Sequence, residues 1–319
     1  MEYDKYLRTM PSHHLNLGRF RIFSFLSFSS LPLGIMWVKI ILSLSKEREP
    51  MEECPLTQLI QLPPVLEPFR EAIEQSRTPF IRIQTQRGTP ALFESKFGGY
   101  PYLPKDFPHP VDEKGNPLRF LAQYRLDHLP PLSDLPTEGM LQFFISTPDD
   151  GSLGSNWDNL SDSRNFRVIF HPAVTEDVSL LCTDFSHLTV DDDDEYFPVD
   201  REYALAFTLS EEIVGLSDYR FERLDISFSE DEEETVWDSW HEQFSNGGHK
   251  IGGYAAFAQF DPRDSAEHED YSVLLLQIDS EEETDDIMWG DVGVANFFIR
   301  PEDLKKRDFS RVLYTWDCG

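Results

Sequence analysis

Three blocks of this sequence recur at one fixed spacing, and that spacing limits what the chain can fold into. Lys96-Phe97-Gly98-Gly99-Tyr100 returns as Lys250-Ile251-Gly252-Gly253-Tyr254, 154 positions later. At the same offset Leu121 and Gln123 return as Leu275 and Gln277, Gly139 as Gly293, and Phe143-Phe144-Ile145 as Phe297-Phe298-Ile299. No insertion separates the blocks, so residues 96–145 and 250–299 are expected to form two β units from one internal duplication, related by a pseudo-twofold axis.

Local patterns fill in the elements. Val65, Leu66, Phe69 and Ile73 fall at helical spacing between Pro64 and Ser76 and predict a short amphipathic helix. Phe80 to Ile83 alternates as a strand does. Gly98 to Pro110, rich in Gly, Pro and aromatics, reads as a long ordered loop. Leu118–Leu126 and Met140–Thr147 are strand-like in the first copy, and Val273–Ile278 and Val294–Ile299 in the second. Between the copies, Phe166–Phe170, Tyr203–Leu209 and Leu224–Phe228 predict strands. Glu230–Phe244 predicts the clearest helix. Ser229 and Glu232 have capping-box spacing, acids crowd its first turn, and Val236, Trp237, Trp240 and Phe244 make one apolar stripe. Pro301 predicts another helix start, and Arg311–Trp316 a last strand. The sum is an α+β, mainly β domain with a short N-terminal helix and a few peripheral helices.

Charge divides the chain at Met51. Residues before it hold seven Lys or Arg against four acids, so of the formal −30 overall the remainder carries −33. A body this acidic repels nucleic acid and anionic membrane surfaces. Its acids serve solubility, or they attract a basic protein or peptide. Ile22–Val38 is uncharged, apolar and serine-rich, but Lys39 ends it short of the ~20 residues a spanning helix needs. Two readings stay open for 1–50: a signal or anchor segment, or sequence upstream of a true start at Met51. Residues 51–319 are expected to form a single domain. Cys54, Cys182 and Cys318 are widely spaced, which suits a reducing, cytoplasmic setting. A secreted or membrane-anchored location is the alternative if 1–50 is a real leader.

The set Ser95-Lys96-Phe97-Gly98-Gly99-Tyr100-Pro101-Tyr102-Leu103-Pro104, Pro117 to Gln123, Gly139 to Phe144, Gly252-Gly253, Leu274 to Asp279, and Trp289 to Gly293 leading into Phe297-Phe298-Ile299 resembles the YwqG-like family. That is a bacterial domain family of unknown function. The likeness runs from about Pro64 to the C-terminus and implies a mainly β, roll-like domain built by duplication. Phe107-Pro108 stands where the family usually has Trp-Pro, and Ala255 where a proline is common. The resemblance brings no catalytic residues.

Candidate chemistry is sparse. Lys96 with Gly98 and Gly99, and Lys250 with Gly252 and Gly253, place a lysine beside paired glycines, as phosphate cradles do. The Walker and GxGxxG patterns are missing, and the alternative is a turn that needs positive φ, its lysine neutralising nearby acids. Gln123 and Gln277, mid-strand among leucines, either orient a ligand or tie a neighbouring loop. Asp279 and Asp291 flank the run Glu281 to Asp286 and are the best candidates for a hard cation such as Ca²⁺. Asp191 to Glu202 has EF-hand length, but Tyr196 occupies the position that needs glycine. HExxH, GxSxG and paired Cys/His spacings are missing.

Two functional classes remain. One is a non-enzymatic interaction protein with an acidic surface, in one version an immunity-type partner of a basic protein. The other is an enzyme or small-ligand or cation binder with a cleft between the copies, using Lys96, Lys250, Asp279 and Asp291. The sequence does not fix the oligomeric state.

Overall fold

The computed structural model describes residues 60–147, 151–186, 188, 197–281 and 286–319. The segment 1–50, the Met51 start, Asp191 to Tyr196 and residues 282–285 lie outside the described residues.

Ten strands form one antiparallel sheet. They are β1 (Thr78–Arg87), β2 (Lys96–Phe97), β3 (Arg119–Arg125), β4 (Met140–Ile145), β5 (Phe166–His171), β6 (Tyr203–Glu212), β7 (Lys250–Gly252), β8 (Val273–Asp279), β9 (Val294–Ile299) and β10 (Val312–Asp317). Their order across the sheet is β10-β9-β8-β7-β1-β6-β2-β3-β4-β5. The centre is the pair β1–β6, which runs from Thr78 opposite Glu212 to Arg87 opposite Tyr203. β1 comes before the first repeat in the chain, yet it flanks β7 of the second. β6 comes before the second repeat and flanks β2 of the first. Each half is thus completed by the long strand that precedes the other.

The two halves share their ladder details. β3–β4 carries a register shift between Phe120 and Ala122, and β8–β9 carries one between Leu274 and Leu276, the same offset on. Such an extra residue sharpens the local twist and helps a sheet curl. The runs Met140–Ile145 and Val294–Ile299 are apolar on consecutive residues because β4 and β9 are buried on both faces.

Curling brings the halves face to face. Phe143 of β4 meets Phe297 of β9 with ring centroids 5.0 Å apart, and Phe297 stacks on Tyr314 of β10 at 4.4 Å. Tyr124 of β3 donates its hydroxyl to the Leu275 carbonyl of β8 at 3.0 Å. The outermost strands also approach one another, with Phe166 of β5 and Tyr314 at 5.2 Å. The result is a nearly closed, barrel-like sheet whose edges meet through side chains.

Helices are few. A 3₁₀ turn at Glu67–Phe69 leads into α1 (Arg70–Gln75); α2 spans Glu230–Gln243 and α3 Pro301–Lys306. At the start of α2 the Ser229 backbone N–H and hydroxyl both donate to the Glu232 carboxylate, at 3.2 and 2.7 Å. Val236, Trp240 and Phe244 pack with Leu66, Ile73 and Tyr254 in a second apolar cluster outside the barrel. The Trp240 indole N–H is satisfied by the Val214 carbonyl at 2.9 Å. Leu224–Phe228, expected as a strand, has no sheet pairing: its alternating Leu224, Ile226 and Phe228 pack against this cluster instead. Alternation reports a buried face, and here a helix layer supplies the cover.

Candidate functional site

Gln123 and Gln277 sit fully buried on β3 and β8. The Gln123 amide donates to the carbonyls of Leu92 and Glu94, both at 2.7 Å, and its oxygen accepts from the Tyr102 N–H at 2.8 Å. Gln277 donates to the carbonyls of Asn246 and Gly248 at 2.9 and 2.8 Å and accepts from Ala256 N–H at 2.8 Å. Every partner keeps the offset of the repeat. Each glutamine therefore staples the loop before its lysine strand to the loop after it. Gln142 and Asn296, opposite them across the ladder, add bonds to the carbonyls of Tyr102 and Ala256 at 2.7 and 2.8 Å.

Lys96 lies opposite Gln123, and Lys250 opposite Gln277. Both lysines are 1 % exposed. The glycines that follow hold positive φ: 67° and 72° at Gly98 and Gly99, 75° at both Gly252 and Gly253. A side chain at Gly98 would run into the Arg201 carbonyl, and one at Gly99 or Gly253 into a glutamate, Glu202 or Glu212 respectively. Glycine is needed there for close approach as well as for φ.

The two glutamates bracket β6 and serve the two turns differently. Glu212 accepts from Lys250 Nζ with both oxygens, at 3.1 and 2.9 Å, and from the Tyr254 N–H at 2.6 Å. In the first half Lys96 Nζ donates to the Pro90 carbonyl at 3.2 Å, and Glu202 Oε2 is buried with no hydrogen-bond partner. Burial lowers the proton affinity of the Lys96 ammonium, against the opposing fields of Glu202 and Glu94. Burial lowers that of Lys250 as well, with Glu212 pulling it back.

Glu202 and Gly99 line a cleft of about 760 Å³ at the first-half turn. That volume suits a small organic ligand. Arg87, Arg119 and Arg201 face it against two carboxylates, Asp200 and Glu202. Phe197, Phe120, Leu118 and Val199 give it an apolar side. Arg119 lies over the Phe197 ring, 3.7 Å from its centroid. Arg87 pairs with Asp286. Near the second turn a smaller hollow of about 380 Å³ is bounded by Arg77, Arg82, Glu211, Glu212 and the end of α2.

The four residues expected to share a cleft between the copies do not line the larger cleft: Lys96, Lys250, Asp279 and Asp291 all stand outside its wall. The Asp279 carboxylate accepts from the backbone N–H of Gly248 at 2.6 Å and of Ser280 at 2.9 Å. Asp291 is exposed, and its carbonyl accepts from Gly319 N–H at 3.0 Å. Among the described residues no group of three or more His, Cys, Asp or Glu is placed to hold a metal ion.

Sequence reasoning missed the arginines of the cleft and both glutamates. The signal was there for the latter: an acid at each end of the strand Tyr203–Glu212. It also missed a buried ionic cluster in which Arg263 bonds Asp218 and Asp261 at 2.9 and 2.7 Å and Arg220 bonds Asp218 at 2.7 Å. Burial works to raise the Asp218 carboxyl, but Arg220 and Arg263 outweigh it and hold it well below the usual range. Asp218 also accepts from Ala255 N–H at 3.0 Å, which anchors the loop after the second Gly-Gly.

Residues 95–318 match the model of a family described as a domain of unknown function, DUF1963, and the chain belongs to that family. The matched span begins after β1, although β1 lies at the centre of the sheet. A comparison with curated proteins finds no match. No helix among the described residues is long and apolar enough to cross a membrane.

Proposed function

We propose that this protein is a non-enzymatic interaction protein whose acidic surface engages a basic protein partner. The carrying observation is a set of exposed apolar side chains, each tied to the chain segment that ends β10. Trp157 is 59 % exposed, Phe260 69 % and Val292 44 %. Trp157 lies 6.2 Å from Trp316 between ring centroids. Gln259, next to Phe260, donates to the Cys318 carbonyl at 2.9 Å, and Asp291, next to Val292, accepts from Gly319. Asp158, Asp291 and Asp317 are neighbours in sequence of these exposed or partly exposed apolar groups. Indole faces attract guanidinium and ammonium groups, and tryptophan is frequent among interface hot spots. The −33 carried by residues 51–319 favours approach of such a partner.

The test is capture of native binding proteins at low and at physiological salt, with wild type beside a Trp157→Ala/Phe260→Ala variant. The expected result is a basic protein retained at low salt, weakened at high salt, and lost by the variant. A partner held equally by both forms overturns the role of these side chains; failure to retain any basic protein overturns the function.

We infer further that the two halves descend from one duplicated unit of the YwqG-like kind. The shared bulges and the glutamine bonds at one offset support this. A cytoplasmic setting is supported by the free thiols of Cys182 and Cys318.

A further inference from the structure

We propose that the first-half cleft is a binding site for a small zwitterion: an α-amino acid with an apolar side chain, its carboxylate on the arginines and its ammonium on Glu202. This goes beyond the interaction surface and uses none of its residues.

Glu202 Oε2 is buried without a hydrogen-bond partner, a condition that costs about 1–3 kcal/mol unless a donor arrives. At the equivalent turn the chain itself supplies donors, since Glu212 receives Lys250 Nζ and Tyr254 N–H. Tyr100, the counterpart of Tyr254, is instead 44 % exposed and stacked on Phe185 at 4.7 Å. The first half thus leaves an unmet carboxylate oxygen on a residue that lines a cleft of ligand size.

The opposite requirement stands in the same cleft. The Arg201 guanidinium is 59 % exposed and lies 3.6 Å from Asp200 and 3.8 Å from Asp286. Both separations exceed hydrogen-bonding distance, so its fork retains N–H groups for a planar carboxylate. A plain cation would meet three arginines. A plain anion would meet the long-range repulsion of the acidic body and leave Glu202 unmatched. A net-neutral zwitterion meets both local charges and feels little of the overall field. Phe197 and Phe120 offer an apolar wall for its side chain.

Titration calorimetry on the full chain tests this with defined probes. L-Phenylalanine and L-leucine carry both charges; 3-phenylpropanoate lacks the ammonium and 2-phenylethylamine lacks the carboxylate. At least one of the two amino acids should bind saturably, and both half-ligands should bind at least about tenfold more weakly than phenylalanine or leucine. Glu202→Gln should weaken amino-acid binding about tenfold and leave 3-phenylpropanoate unchanged. Arg201→Ala should weaken both carboxylate-bearing classes, with an unchanged melting temperature showing that the fold survives. Absence of saturable amino-acid binding overturns the proposal. So does a Glu202→Gln protein that binds every probe as wild type does.

Discussion

Lys250 and Lys96 occupy the same place in the two halves of the sheet, and their surroundings satisfy them differently. Lys250 is locked to Glu212, and its ammonium lies 5.3 Å from the Phe80 ring centroid. Lys96 has one carbonyl at 3.2 Å, with Glu202, which lines the cleft, nearby but not bonded to it. One half has spent its polar groups on its own stability, while the other has polar groups left over. Repetition of a motif preserves the backbone frame, because the frame depends on glycine φ values and glutamine staples. It does not preserve the charges around the frame, because those come from β6 and from loops outside the repeat.

The largest expected effect breaks the closed pair. Glu212→Gln leaves the Lys250 ammonium buried without a counter-charge and should cost about 3–5 kcal/mol in urea unfolding. A loss below about 1 kcal/mol would show that the pair contributes little and would erase the contrast with Lys96. Next come the staples. Gln123→Leu and Gln277→Leu each strip partners from three backbone groups, so each should cost about 3 kcal/mol. The two values should agree to within about 1 kcal/mol, because the three bonds to backbone groups are the same in both halves. A large disparity would mean that the surrounding loops, rather than the staples, hold the turns.

A pH profile sharpens the comparison at the sheet edges. His171 on β5 and Asp317 on β10 hold corresponding ladder positions, opposite Met140 and Val294. The His171 ring donates to Gln142 Oε1 at 2.7 Å, and burial pushes its pKa down to about 4. The unfolded chain takes up the proton near pH 6.5, so the unfolded state binds more protons between about 6.5 and 4. His171 therefore contributes its full stability above about pH 6.5, and that contribution falls by up to about 3 kcal/mol as pH drops to 4. Burial raises the Asp317 carboxyl, so over the lower part of that window it works in the opposite direction, binding its proton sooner in the fold. His171→Gln should flatten the fall; an unchanged slope would place its origin elsewhere. The smallest effect belongs to the open half. Glu202→Gln should change stability less than Glu212→Gln does in the same urea series, since Glu202 makes no hydrogen bond to Lys96 whereas Glu212 is bonded to Lys250.

Much of the frame was legible in residues. Gln123 and Gln277, 154 positions apart in sequence, bond backbone groups that are 154 positions apart as well. The capping residues Ser229 and Glu232 marked the start of α2, and Pro301 that of α3. Leu224–Phe228 misled because alternation states only that one face is buried. The reach of β1 and β6 was underestimated, since Gln84, Gln86, Ser210 and Glu211 look like loop residues. They belong to strands because each has a full ladder partner across the centre of the sheet.

What the sequence determined by itself was therefore local and periodic: glycines where φ must be positive, apolar runs for strands buried on both faces, and a repeat whose backbone bonds recur at one offset. Tertiary structure alone decided that β1 and β6 cross to the opposite halves, that Glu212 reaches Lys250 while Glu202 meets no partner, and that Arg87, Arg119 and Arg201 converge on one cleft. Those outcomes join residues that are tens to more than a hundred positions apart. Short-range propensity carries no information about such distances; the curl of a single sheet sets them.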